Sequence, residues 1–206
     1  METLIKRAQV EWASSGCDRW PISTPAPTKE FDDEGFRNAY LYMVYMALRK
    51  EFSITEEDLR ILHTKLYCGD KTYHLGEYRI DEVSLSGSDY QFPIACRVPF
   101  LIKKLCKRWN QIQVNDPVLF AAQVHQELVD IHPFYNGNGR VARLCMNAVL
   151  LRYNYWPIFI TEQWRVEYSA TLHQSQVKGN KDKFVALIRK IVEENEKSHR
   201  GEGKEK

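Results

Sequence analysis

The chain has 206 residues and a formal net charge of +2, with hydrophobic residues at 44% and charged ones at 27%. That is enough for one domain with a sizeable core, in ordinary globular proportions. The balanced charge points to neither a nucleic-acid nor an acidic-membrane partner, and no apolar run approaches the roughly 20 residues of a membrane span.

The start, METLIKRAQVEWASSG, has no apolar h-region and reads as a chain without a secretory signal, with a short helix over 2–13. PISTPAPTKE, residues 21–30, holds three prolines and reads as extended. FRNAYLYMVYMALRKE is apolar on most faces and predicts a buried helix from about 34 to 51. Ser53 or Thr55 caps the next helix, TEEDLRILHTKLY, whose first turn is acidic. EYRIDEVSLSGSDYQF then alternates, with Tyr78, Ile80, Val83 and Leu85 among polar residues and a Ser-Gly-Ser turn, which predicts a β-hairpin over 77–92.

Pro99 opens a helix, PFLIKKLCKRWN, and Asp116 caps PVLFAAQVHQELVDI, with Pro117 at its first position and Pro133 ending it. A glycine-rich loop follows, then a helix from near Arg140 through VARLCMNAVLLRYN, and helices over 161–177 and 180–197. The fold class is all-α with one hairpin. Residues 1–35 read as an N-terminal helix and proline-rich segment, 36–197 as the domain, and the tail from 198 to 206 as disordered. Cys17, Cys68, Cys96, Cys106 and Cys145 form no Cys-x-x-Cys pair, which predicts reduced thiols in an intracellular, cytoplasmic protein. Trp109, Trp156 and Trp164 are expected to pack between helices. His125 and His132 share a helix face but have no third ligand beside them, which favours a core histidine over a metal pair.

The loop HPFYNGNGR, residues 132–140, is richer in small polar residues than a turn requires. A helix begins at its end, and a helix N-terminus presents unpaired N–H groups and partial positive charge. Arg140 and Arg143 nevertheless stand in that first turn, three apart on one face. An anion on the loop reconciles them: Gly137 and Gly139 allow close backbone approach, the N–H groups cradle phosphate, and the arginines take further phosphate oxygens. His132 is the nearby group able to move protons near neutral pH.

HPFYNGNGRVAR resembles the signature of the Fic family, His-Pro-Phe-x-(Asp/Glu)-Gly-Asn-Gly-Arg-x-x-Arg, and departs from it only at Asn136. The order of elements agrees from about residue 36 to 195. The resemblance implies a helical fold with a β-hairpin flap, and transfer of AMP from ATP to a Ser, Thr or Tyr hydroxyl of a target protein. It implies His132 as general base, Phe134 as a buried loop anchor, and Gly137, Asn138 and Gly139 as an anion hole for the α- and β-phosphates. It further implies Arg140 on the β-phosphate, Arg143 on the γ-phosphate, and a flap around Ser84, Leu85, Ser86, Gly87 and Ser88 that clamps the target by strand addition. Asn136 stands where the family has an acidic Mg²⁺ ligand, which implies weaker metal binding. The family's Doc branch also has asparagine there and phosphorylates its target, but carries lysine where this chain has Gly139. Phosphorylation, UMP transfer and a nucleotide-binding module with weakened catalysis are the alternatives. The family's inhibitory pattern, (Ser/Thr)-x-x-x-Glu-(Gly/Asn), fits SHRGEG formally, with Ser198 and Glu202 in the key places; a separate inhibitory partner protein is the other possibility.

Overall fold

The computed structural model describes residues 29–67, 74–85 and 88–201. The short helix expected over 2–13, most of the proline-rich stretch and the end of the tail lie outside them. Seven α-helices are described: α1 (Lys29–Leu48), α2 (Glu56–Leu66), α3 (Val98–Trp109), α4 (Pro117–Ile131), α5 (Asn138–Arg152), α6 (Glu162–Lys178) and α7 (Asp182–Gly201). A single 3₁₀ turn, Ala95–Arg97, leads into α3. No described helix is long and apolar enough to cross a membrane.

Local chemistry sets the ends of these helices. Thr55 caps α2 in a reciprocal box with Asp58. Asp58 also accepts from Arg49 and from the Tyr42 hydroxyl, tying the end of α1 to the start of α2. Asp116 caps α4 through the Leu119 N–H at 3.0 Å, with Pro117 in the first turn, and receives Arg189 of α7 at 2.7 Å. α1 is already helical at Lys29 and Glu30, and α7 runs past 197 to Gly201.

α5 is the centre of the molecule. Every residue from Arg140 to Leu151 is buried, packed against α4 and α1, while α7 closes the other side of α4 and carries α6. One core runs from Phe36 to Val192. Asn147, buried mid-helix, exchanges two hydrogen bonds of 2.9 Å with the Ile158 backbone. Trp109 packs as expected, its indole N–H donating to Glu127 of α4 at 2.8 Å.

The expected hairpin has no strand ladder among the described residues. The segment is extended, with one turn bond from Ser88 N–H to Leu85 at 3.1 Å. Alternation fails at its start: Tyr78 and Arg79 are both buried, while Ile80 is 83% exposed. Arg79 explains this. Its guanidinium lies between the two arms and donates to the carbonyls of Asp81 and Pro93, doing with a side chain what ladder bonds would do. Its own N–H bonds Pro133 at 2.8 Å, so the segment pairs with the glycine loop instead of with itself.

Candidate active site

The loop between α4 and α5 is held from three directions. From below, Asn138 closes it: its Oδ1 accepts from the Phe134 N–H at 2.9 Å and its Nδ2 donates to the Phe134 carbonyl at 2.8 Å. Phe134 is fully buried, its ring stacked on His63 at 4.0 Å and tilted against Tyr78. Asn138 therefore uses its side chain to close the loop, and its backbone N–H lies at the start of α5. From the side, Arg79 donates to the His132 carbonyl at 2.8 Å. From the flap segment, the Ile80 N–H bonds the Tyr135 hydroxyl at 3.2 Å, and that hydroxyl donates to Asp81 at 2.8 Å.

His132 caps α4 in the left-handed region, with φ 53°. A non-glycine residue rarely takes that conformation without surrounding support, least of all before a proline, and Arg79 on its carbonyl supplies the support. The Phe92 ring lies 4.2 Å from its imidazole. Burial pulls the pKa of His132 down from the usual 6.5 to about 4; a Val129 carbonyl opposes this and the positive charge of Arg79 adds to it. The imidazole is neutral at pH 7 and able to accept a proton.

The start of α5 has the form expected of an anion site. Gly137 is its N-cap, at φ 71°, and no side chain caps the helix. A Cβ on Gly137 would fall 2.9 Å from the Tyr67 ring, and one on Gly139 would fall 3.2 Å from Arg143 Nη1. The two glycines thus leave room for side chains of the site as well as for a ligand. Arg140 lies over the Tyr67 ring at 4.5 Å and donates to its hydroxyl. Arg143 donates to the Tyr168 hydroxyl at 3.3 Å, and that oxygen is 2.8 Å from His125 Nε2. Both guanidinium groups are buried, and burial lowers the pKa of Arg143. An anion set between two buried cations would offset that cost.

Asn136 is half-buried on the loop. Its neighbour is His63, whose Nδ1 accepts from the Gly76 N–H at 3.0 Å. Burial lowers His63 to about 4, opposed by the Asn136 backbone carbonyl and deepened by Arg140. Among the described residues no three His, Cys, Asp or Glu side chains gather to hold a metal, so Asn136 would offer a cation a single neutral oxygen.

Of the other residues named from sequence, Ser84 and Leu85 are exposed and Ser88 is partly so, at the tip of the Arg79-anchored segment; Ser86 and Gly87 lie outside the described residues. Ser198 is exposed on α7, bonding back to Glu194. Its neighbour His199 stacks on Trp156 at 4.0 Å, beyond the C-terminal end of α5. Arg143 lies in the first turns of α5, about 14 Å or more away along the axis. Ser198 thus starts the inhibitory pattern at the far end from Arg143, because it continues α7; Glu202 lies outside the described residues. Arg79, Tyr67, Tyr168 and His63 escaped sequence reasoning. Only Arg79 left a signal, a lone cation in an otherwise alternating stretch.

A helical scaffold that sets an uncapped helix N-terminus, two buried arginines and a neutral histidine around one loop defines an anion-binding, proton-accepting class of site. Residues 53–150 match the model of the Fic/DOC family. The "Protein adenylyltransferase Fic" of Nematostella vectensis is 32% identical over 165 residues, covering 77% of this chain and 37% of that protein. A solved fragment of C. elegans Fic-1 superposes with a TM-score of 0.78 at 25% identity, over 96% of this chain and 57% of that one. An IbpAFic2 variant in complex with adenylylated Cdc42 shares the fold, with a TM-score of 0.65 at 16% identity over 93% and 61% of the two chains. The chain belongs to the Fic/DOC family. It spans about a third of the length of the curated relatives it matches.

Proposed function

We propose that this chain is a protein adenylyltransferase, moving AMP from ATP to a Ser, Thr or Tyr hydroxyl of a target protein. The observation that carries this is the joint placement of neutral His132 and buried Arg140 and Arg143 around the uncapped start of α5. His132 takes the proton of the target hydroxyl, whose oxygen bonds to the α-phosphorus of ATP. The bond from that phosphorus to the bridging oxygen breaks, and pyrophosphate leaves with the electron pair. The N–H groups of Gly137, Asn138 and Gly139 hold the α- and β-phosphates; Arg140 holds the β-phosphate and Arg143 the γ-phosphate. The exposed segment around Ser84, Leu85 and Ser88 faces the target. The name of the Nematostella relative and the adenylylated target in the IbpAFic2 complex support this reading.

Mg²⁺, when bound, neutralises phosphate charge. Asn136 would be its protein ligand here, the phosphates supplying the other oxygens. A phosphorylation chemistry of the Doc kind fits less well: a lysine at position 139 would start its side chain 3.2 Å from Arg143 Nη1. The position of Ser198 favours a partner protein as the source of an inhibitory glutamate. A cytoplasmic setting belongs to the same reading and is supported by three free thiols, Cys96, Cys106 and Cys145.

The test is incubation with ATP labelled at the α- or the γ-phosphate, read on the chain itself and on added protein targets by intact mass. Transfer of the α-label with a mass gain of AMP, lost in His132→Ala, is expected. Transfer of the γ-label would replace the reading with phosphorylation, and ATP binding without any transfer would reduce it to nucleotide binding.

A further inference from the structure

Both loop arginines are long, flexible side chains with buried ends, and each meets a tyrosine hydroxyl from a different part of the fold. Tyr67 follows α2. It lies under Arg140 with its ring, accepts from Arg140 with its hydroxyl, and touches the place a Cβ would take on Gly137. Tyr168 stands in α6, beyond the end of the segment that matches the family, and reaches Arg143 across the core.

The direction of the hydrogen bonds at Tyr168 matters. A phenol has one proton to give. His125, fully buried against Phe184 and held neutral by that burial, presents Nε2 at 2.8 Å. Arginine can only donate, so the hydroxyl oxygen accepts from Arg143, and with the His125 proton on Nδ1 the phenol proton goes to Nε2. Tyrosine has two side-chain torsions, and packing holds both rings. An arginine fastened to such a group has already lost much of the rotamer freedom that it would otherwise give up on binding a phosphate.

Resting on the nucleotide-binding reading above, we infer that Tyr67 and Tyr168 are positioning residues, Tyr67 aiming Arg140 and Tyr168 aiming Arg143 at separate phosphates of the nucleotide. The pairing is fixed by the fold, since the two tyrosines come from different elements and are bonded to different arginines.

The experiment is calorimetric titration of the full chain with AMP, ADP and a non-hydrolysable ATP analogue, for the parent protein and for Arg140→Gln, Arg143→Gln, Tyr67→Phe and Tyr168→Phe. The arginine variants show which nucleotides depend on each cation. Tyr168→Phe should weaken the same nucleotides as Arg143→Gln, by about tenfold, and leave the others unchanged; Tyr67→Phe should reproduce Arg140→Gln. Two results overturn the inference: a tyrosine variant that binds all three nucleotides as the parent does, or one that weakens all three equally while melting earlier, which marks a merely structural role. Crossed patterns overturn the pairing. A parent chain that binds none of the three refutes the nucleotide reading itself, an outcome separate from any tyrosine effect.

Discussion

His132 shows how much a residue's surroundings decide. Free histidine would be largely protonated at pH 6, but burial and the charge of Arg79 lower this one to about 4. Only the neutral form accepts a proton, so transfer per folded molecule should hold level from pH 8 down to about 5 and fall as pH drops through 4. A pH profile of initial rates checks this; a midpoint near 6.5 would mean the ring is solvated in the working enzyme. Asn136 is the second residue of interest. Asn136→Asp places a carboxylate beside His63 and near Arg140. It should raise the His63 pKa and lower the Mg²⁺ concentration needed for half-maximal transfer by several-fold, as the added charge favours the dication. Titrating Mg²⁺ against rate for both proteins tests it, and an unchanged metal dependence would remove Asn136 from the metal.

Among the elements, the described residues of 77–85 and 88–94 depart most from their sequence pattern. Their alternation suggested paired strands, yet Arg79 replaces the ladder by donating to Asp81, Pro93, His132 and Ile131. Arg79→Met keeps length and apolar volume but leaves these carbonyls without their donor. It should cost on the order of 3 kcal/mol of stability and free His132 from its left-handed conformation. Denaturant unfolding reads the first effect. The second appears as lost transfer at a nucleotide affinity close to the parent's, because the phosphate cradle at α5 does not touch Arg79. An equal loss of both would make Arg79 a general core residue.

For the whole molecule, three histidines in and around α2 and α4 share one behaviour. His63 and His132 are lowered to about 4 and His125 to about 3, each chiefly by burial. The unfolded chain binds these protons near pH 6.5 and the folded chain does not, so stability is fully present above pH 6.5 and declines as pH falls toward 4. The slope approaches, at most, about 4 kcal/mol per pH unit. Thermal melts from pH 7.5 to 4.5 should show a steady fall that is smaller in His125→Gln than in the parent. A pH-independent melting temperature would mean these rings are hydrated in solution.

The helix order, a cap at Ser53 or Thr55, the cap at Asp116, the loop 132–140 and its family were legible along the chain, because those signals are local: a cap, a proline or a glycine acts on its own few residues. The sequence by itself placed His132, Arg140 and Arg143 within one short stretch, so their proximity needed no folding to be seen. Tertiary structure alone decided what holds them. Arg79 lies 53 residues from His132, Tyr67 is 73 from Arg140 and Tyr168 is 25 from Arg143. Contacts at those separations arise from how α2, α6 and the extended segment pack around α5, and no periodicity or spacing along the chain records them. The lack of a strand ladder among the described residues of 77–92 has the same origin: alternation reports which residues are apolar, while the burial of Arg79 depends on carbonyls that other parts of the chain bring to it.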